Sequence, residues 1–512
     1  MVYGKQRFGC NWVIKWFYAA AFAAVAVGCG DDTPAGDTGS SGVIRMNDGA
    51  RLLAPLSGSV SGSRQPVFSF TGGGNAHVDI CYDRACAHVL RSLAPGHGHA
   101  QPDTPLPAGT FFWRVASRHE TTATWQLVIP ARESGLTTAS ATVPDYNGDG
   151  LADVAVGAPA AGTGSVPVFF GSFFGVNPAA DVTLTGGDRF GRAIAAVGDV
   201  NGDGFVDLAV ASGGDPGTVN IYEGGPAGPS MGNALLPPGP VTAGFGTTMA
   251  SAGDVNGDGY GDVIVGGREI AQVFLGSAKG MAASAAFTLV GVPGGDALVV
   301  WGAGDVNGDG APDVFVGGII YLGTGSGFVA QTSFTPGTLA PDFVGDNDGD
   351  GLTDLAVNQG IYLGTPAGID GTHTFFIQAG ETVFSSAGDI DGDGYWDTVS
   401  SLSSVEGFPE RARVYFGSPT GCGTNGCRAF SPLFIPGFDF TPASTSAIVA
   451  GTGDFNGDGG DDLVVLTPEN GAVYIYLAGG AREQPLAQFL QVNATAVVGS
   501  LAALFGTAPT GP

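Results

Sequence analysis

The sequence predicts an all-β protein, a seven-bladed β-propeller preceded by a small β-sandwich. Three observations carry that expectation. A nine-residue pattern, Asp-x-Asn/Asp-Gly-Asp-Gly-x-x-Asp, occurs seven times, starting at Asp145, Asp199, Asp254, Asp305, Asp346, Asp389 and Asp454. After most copies comes a short β-branched run of the type Asp-Leu-Ala-Val, then a further run ending in Gly, which reads as two strands. The starts lie 41 to 65 residues apart, room for four short strands and their turns, with no amphipathic helix between them. Four-stranded units repeated radially close into a propeller with few open edges. An open solenoid is the alternative, but its repeats are shorter and its ends need distinct caps.

Each copy has the residue types of a calcium loop, because this hard cation takes six to eight oxygens and a short loop supplies them from alternate carboxylates. The ligand sets predicted at positions 1, 3, 5 and 9 are Asp145, Asn147, Asp149 and Asp153; Asp199, Asn201, Asp203 and Asp207; Asp254, Asn256, Asp258 and Asp262; Asp305, Asn307, Asp309 and Asp313; Asp346, Asp348, Asp350 and Asp354; Asp389, Asp391, Asp393 and Asp397; and Asp454, Asn456, Asp458 and Asp462. The carbonyl at position 7, as in Phe205, is a further ligand, and position 9 is placed to bind with both oxygens. Loops five and six carry four carboxylates instead of three and are expected to bind tighter. Up to seven calcium ions follow. An EF-hand is rejected, since it needs a bidentate Glu at position 12, where this chain has Val156, Val210, Val265, Val316, Val357, Ser400 and Val465. A metal-free Asp/Asn/Gly turn remains the alternative for any one loop, and repetition argues against it for seven. Third strands are expected at 166–171, 219–224, 272–276, 319–323, 361–364, 414–417 and 473–477.

These residues resemble the FG-GAP repeats of integrin α-chain propellers and their bacterial relatives. Phe190-Gly191, then Ala196-Val197-Gly198-Asp199, the loop, and Leu208-Ala209-Val210 carry the pattern best; Phe245-Gly246 repeats the opening and Gly157-Ala158-Pro159 supplies the other half of the name. The resemblance covers residues 136–493. The fourth repeat shows Trp301-Gly302 where the Phe-Gly pair is expected, and the fifth and seventh lack the pair. The resemblance implies calcium between the first two strands of each blade, on one face of a disc, with partners on the opposite face.

Residues 1–29 read as a signal peptide: Lys5, Arg7 and Lys15 precede an apolar stretch, Trp16 to Val27, too short to span a bilayer comfortably. Ala26-Val27-Gly28-Cys29 resembles a bacterial lipoprotein cleavage site, with Cys29 as the lipidated residue. An ordinary cleaved signal or a short anchor is the alternative. Residues 30–43 suit a flexible tether, and 44–131 read as a fibronectin III or Ig-like β-sandwich. Cys81 with Cys86, and Cys422 with Cys427, are spaced for two local disulfides in an oxidising compartment. His97 and His99 lie in a Gly-His-Gly-His loop for which no third metal ligand is evident. Residues 494–512 form an apolar tail or a closing strand.

The formal charge is −28, and the loop carboxylates make up about half of the 47 acids. Lys279 is the one lysine after the leader, so a nucleic-acid partner is excluded for want of basic surface. Membrane association is expected only through the lipid anchor. The predicted function is calcium-dependent binding or adhesion at the cell envelope, toward an unknown protein or carbohydrate ligand, without catalysis. A polysaccharide-active enzyme and a lectin are the alternatives; against the enzyme, His373 is the propeller's one histidine and has no evident acid/base partner. Residues 401–411, with Glu406, Phe408 and Arg411, form a candidate docking loop.

Overall fold

The computed structural model describes residues 50–491, apart from 73–75, 95–97, 118–119, 133–138, 161, 236–242, 293–297, 332–341, 358–359, 372, 377–380, 403–411, 419–428, 431–447, 468–471 and 479–485. The leader, the tether, Cys29, His97, the docking loop beyond Leu402, Cys422, Cys427 and the tail lie outside the described residues. Every regular element among the described residues is a strand.

From residue 154 onward the strands form seven consecutive sheets. Six are four-stranded antiparallel meanders; the second, Ala193–Gly198, Asp207–Ser212, Thr218–Glu223 and Ser230–Leu235, is representative. In these six the acidic loop joins the first strand to the second. The third strands fall at Ser165–Phe169, Thr218–Glu223, Ile270–Phe274, Ile319–Gly323, Gly360–Tyr362, Ala412–Tyr415 and Ala472–Leu477, within one or two residues of expectation.

Neighbouring sheets share apolar layers. Phe245, Met249, Val263 and Phe274 of the third sheet pack with Ala195, Ala209, Val219 and Ile221 of the second. The series closes on itself, since Ala152, Val154 and Phe169 share a cluster with Phe455, Val464 and Ile475. The acidic loops are chained in the same order. The position-8 amide donates to the position-1 carbonyl of the preceding loop in Ala152 to Asp454, Gly261 to Asp199, Thr353 to Asp305, Trp396 to Asp346 and Asp461 to Asp389. Loop four has Pro312 there, which has no N–H and lies instead against Gly253.

The glycines that end the third strands are sterically required. At Gly224, Gly276 and Gly417 a Cβ would collide with the position-8 carbonyl of the same repeat and crowd the position-2 carbonyl of the preceding one.

Two expectations need correction. The first sheet has three strands, Val154–Ala155, Ser165–Phe169 and Val182–Thr185. The strand ahead of its loop, Ala139–Thr142, pairs instead with Ser59–Ser61 of the N-terminal module, which occupies its hydrogen-bonding edge. Trp301-Gly302 is also not the missing Phe-Gly pair. Phe190 and Phe245 stand nine residues before their loops, and each packs edge-on against an aromatic ring of its own third strand, Tyr222 or Phe274. Trp301 stands four residues before Asp305, inside the first strand Val300–Gly304.

The N-terminal module has a three-stranded sheet, Arg51–Ala54, Phe68–Thr71 and His99–Ala100, and a six-stranded sheet that ends in Ser59–Ser61 and Ala139–Thr142. Both contribute to one core, where Phe68 lies 4.9 Å from Trp113, and Trp113 meets Trp125 edge-on at 5.6 Å. Cys81 and Cys86 form a disulfide.

Candidate metal centres

The loops share the frame of one hydrogen-bond scheme: in all seven the position-6 amide donates to the position-1 Oδ2. In the second, Asp199 Oδ1 accepts from the Gly202 and Asp203 amides at 2.7 and 3.1 Å, and its Oδ2 accepts from Gly204 at 2.7 Å. Asn201 Oδ1 accepts from Asp203 N, and Asp203 Oδ1 accepts from Phe205 N. Gly202 and Gly204 take φ of +78° and +98°, the left-handed conformation that winds the chain without a Cβ clash. Asp203 N–H bonding to both Asp199 and Asn201 turns their carboxylate and amide toward one centre.

Position 9 does more than the sequence suggested. Asp153, Asp207, Asp262, Asp313, Asp354, Asp397 and Asp462 are all fully buried, at 0% exposure. In each, Oδ2 accepts from the position-2 amide of its own loop, as Val200 N to Asp207 at 2.8 Å and Val306 N to Asp313 at 2.8 Å. Oδ1 accepts from the amide that ends the third strand, as Gly224 N to Asp207 and Gly323 N to Asp313, both at 2.7 Å. This carboxylate therefore latches the loop to the third strand whatever else it binds. Each carboxylate oxygen can accept a further bond, as Asp153 Oδ2 does from Asn147 N at 3.3 Å.

The electrostatics favour a cation. Burial pushes Asp145, Asp199, Asp313, Asp346 and Asp389 up to about 7, Asp254 to about 6, Asp262 to about 8 and Asp462 to about 9. Asp153, Asp207, Asp354 and Asp397 are raised well above the ordinary carboxylate range by the same desolvation. Neighbouring carboxylates of the same loop add to it, and the amide hydrogen bonds oppose it. A divalent ion within the loop removes that penalty. Asp346 Oδ1 is buried without a hydrogen-bond partner, an acceptor left over for such an ion. In the two four-carboxylate loops, oxygens of Asp346, Asp348 and Asp354, and of Asp389, Asp391 and Asp397, come within 4.8 Å of one another. The other five loops use Asn at position 3, and in loops one, two, four and seven its Nδ2 donates to the position-5 carboxylate at 2.9–3.0 Å.

Other sequence candidates are more scattered. His99 is exposed on its strand, and His373 begins the strand His373–Phe376. A cavity of about 750 Å³ lies between the module and the first strands of the sheets, lined by Ala54, Val128, Gly198, Trp301, Gly345 and Trp396. Five carboxylates line it: Asp254, Asp305, Asp389 and Asp454 are position-1 residues of the loops, and Asp461, raised to about 7 by burial, stands at position 8 of the seventh.

Residues 199–265 and 254–316 match the family model for an FG-GAP-like repeat, and 137–169 match that for an FG-GAP repeat. Integrin alpha-4 of Xenopus laevis is 37% identical over 143 residues, 25% of this chain and 14% of that protein. Integrin alpha-IIb of Mus musculus is 39% identical over 150 residues, again 25% of this chain and 14% of the relative. The matched part thus spans about one-seventh of the length of these relatives. Among solved structures, rhamnogalacturonan lyase YesW is 12% identical with a TM-score of 0.36 over 85% of this chain and 92% of that one. BBS1N, from its complex with ARL6DN, is 15% identical with a TM-score of 0.41, over 67% and 95%. Likenesses at that level carry no argument about chemistry. Over residues 137–169 and 199–316, which hold the first four acidic loops, pattern and family model agree: this chain carries FG-GAP repeats similar to those of integrin alpha chains.

Proposed function

We propose that the protein is a calcium-stabilised binding protein, with a seven-bladed propeller that takes one calcium ion in each acidic loop. The ligands are the residues at positions 1, 3, 5 and 9 of each loop. The observation that carries this reading is the repetition of one hydrogen-bond scheme in loops chained neighbour to neighbour, each around a buried carboxylate. The N-terminal module is a fibronectin III or Ig-like sandwich, supported by two sheets around one core. The disulfide supports export to an oxidising compartment, and Cys29 is the proposed lipid attachment point. The partner is a protein or a carbohydrate. The proposed role is non-catalytic.

Extracellular calcium modules bind at about 10⁻⁴ to 10⁻³ M. At millimolar calcium each site then stabilises by about 0.5 to 1.5 kcal/mol. Loops five and six, with four carboxylates, bind tightest. Native mass spectrometry of the folded chain tests the proposal: up to seven calcium ions are expected, and a folded chain without metal would refute it. A glycan array separates carbohydrate from protein partners. Turnover on any member of a polysaccharide panel would overturn the non-catalytic reading.

A further inference from the structure

Part of the loop end of the repeats is covered by this chain's own N-terminal segment, and arginines make much of the contact. Position 7 of the loops holds Leu151, Phe205, Tyr260, Ala311, Leu352, Tyr395 and Gly460. Three are aromatic, and each lies under an arginine, two from the module and the third, Arg132, from the segment just after it. Arg84 stacks on Phe205 at 4.3 Å, Arg51 on Tyr260 at 4.7 Å and Arg132 on Tyr395 at 4.2 Å. Arg84 also donates from Nε to Gly148 O at 2.7 Å and from Nη1 to Gly204 O at 2.8 Å, joining the first two loops. Ser57 Oγ donates to the same Gly204 carbonyl at 2.6 Å. The Cys81–Cys86 disulfide closes the turn that presents Arg84, and the guanidinium rests on Phe112 on its other side.

These acceptors exist only while the loops are wound. The Gly148 and Gly204 carbonyls, at positions 4 and 6, take their direction from peptides whose neighbouring amides point at Asp145 and Asp199. The position-7 ring is placed by an amide bonded to the position-5 carboxylate. A loop of three carboxylates with one divalent ion keeps a net charge of −1, and one of four keeps −2, so each loaded loop still attracts an arginine.

We propose that the N-terminal module is a calcium-dependent ligand of the loop face, clamped by Arg51, Arg84 and Arg132, so that calcium loading and module seating strengthen each other. This rests on the calcium reading above. Linkage makes the effect reciprocal: a seated module raises the calcium affinity of the loops it touches by the factor by which calcium favours seating.

The test is calcium titration calorimetry on the full mature chain, comparing wild type with two triple variants. One is Arg51→Ala/Arg84→Ala/Arg132→Ala. The other, Phe205→Leu/Tyr260→Leu/Tyr395→Leu, keeps every ligand and every arginine. Both are expected to bind as many ions as wild type, with affinity at part of the sites reduced by about fivefold or more. Arg91→Ala, which removes a bond to Thr104 O inside the module, is the control and is expected to leave binding unchanged. Unchanged affinity in both variants overturns the clamp. So does a rise in affinity, which would make the arginines competitors of the ion, or a fall in the arginine variant alone, which would reduce them to a diffuse charge effect. If wild type binds calcium and these results follow, the clamp alone has failed; if wild type binds none, the calcium reading fails with it. Hydrogen exchange on wild type needs no variant. Amides of residues 82–88 are expected to exchange faster in excess EGTA, and equal rates with and without calcium would overturn the proposal.

Discussion

Loops two, three and six and loops four and seven are written in the same nine-residue grammar but meet different surroundings. The first group carries an aromatic ring at position 7 under an arginine; the second carries Ala311 and Gly460. Their internal hydrogen bonds are nevertheless alike. In loop four Asp305 accepts from Gly308, Asp309 and Gly310, as Asp199 does from Gly202, Asp203 and Gly204. The comparison separates two jobs within one motif. Positions 1, 3, 5 and 9 wind and latch the loop, and position 7 is free to be spent on a neighbour.

The largest expected effect tests whether the two groups share a dependence on metal. Seven sites of about 0.5 to 1.5 kcal/mol sum to several kcal/mol, so excess EGTA is expected to lower the melting temperature by about 10 °C or more. An unchanged melting curve would remove metal from both groups. Without calcium, the pH dependence should be unusual. Among the position-1 carboxylates, burial raises Asp145, Asp199, Asp346 and Asp389 to about 7 and Asp254 to about 6, and raises Asp305 and Asp454 as well, so the folded chain holds protons that the unfolded chain loses nearer 4. Folded-state stability in EGTA is therefore expected to fall as pH rises from 4 to 8. In calcium the trend should reverse, because protons compete with the ion for the same oxygens. Thermal melts at pH 5.5 and 8 in each condition check both signs.

Next, the latch should cost the same under cover and in the open. Asp207→Asn in loop two and Asp313→Asn in loop four each turn an amide NH₂ toward a backbone donor, and each is expected to lose about 2–4 kcal/mol in calcium by chemical denaturation. A much smaller loss at Asp313 would break the comparison. The smallest effects sharpen it. Tyr260→Ala removes a ring under Arg51 and should cost about 1 kcal/mol beyond its packing. Ala311→Tyr, with no arginine above it, should stay within about 0.5 kcal/mol.

Much of the fold was readable from local sequence. The Asp/Asn/Gly grammar marks the loops, because those residue types wind a chain around hydrogen-bonded carboxylates. The Gly at the end of six of the seven third strands marks a place where backbone meets backbone, and Gly224 and Gly417 show why no Cβ is tolerated there. What escaped notice comes from contacts between distant segments. The double role of Asp207 depends on Gly224, and the role of Tyr260 depends on Arg51. The aromatic exceptions at position 7 were visible in the chain, but nothing nearby announced their partners. Trp301-Gly302 misled because it has the residue types of the pair without its distance from the loop.

The strand Ala139–Thr142 leads into the first acidic loop, yet Ser59 faces Thr142 and Ser61 faces Ala139 across its ladder. The backbone ladder thus sews the module to the strand that opens the first repeat. Gene-level shuffling of the front piece would have to carry the stretch up to about residue 143, or else supply a replacement edge of matching register.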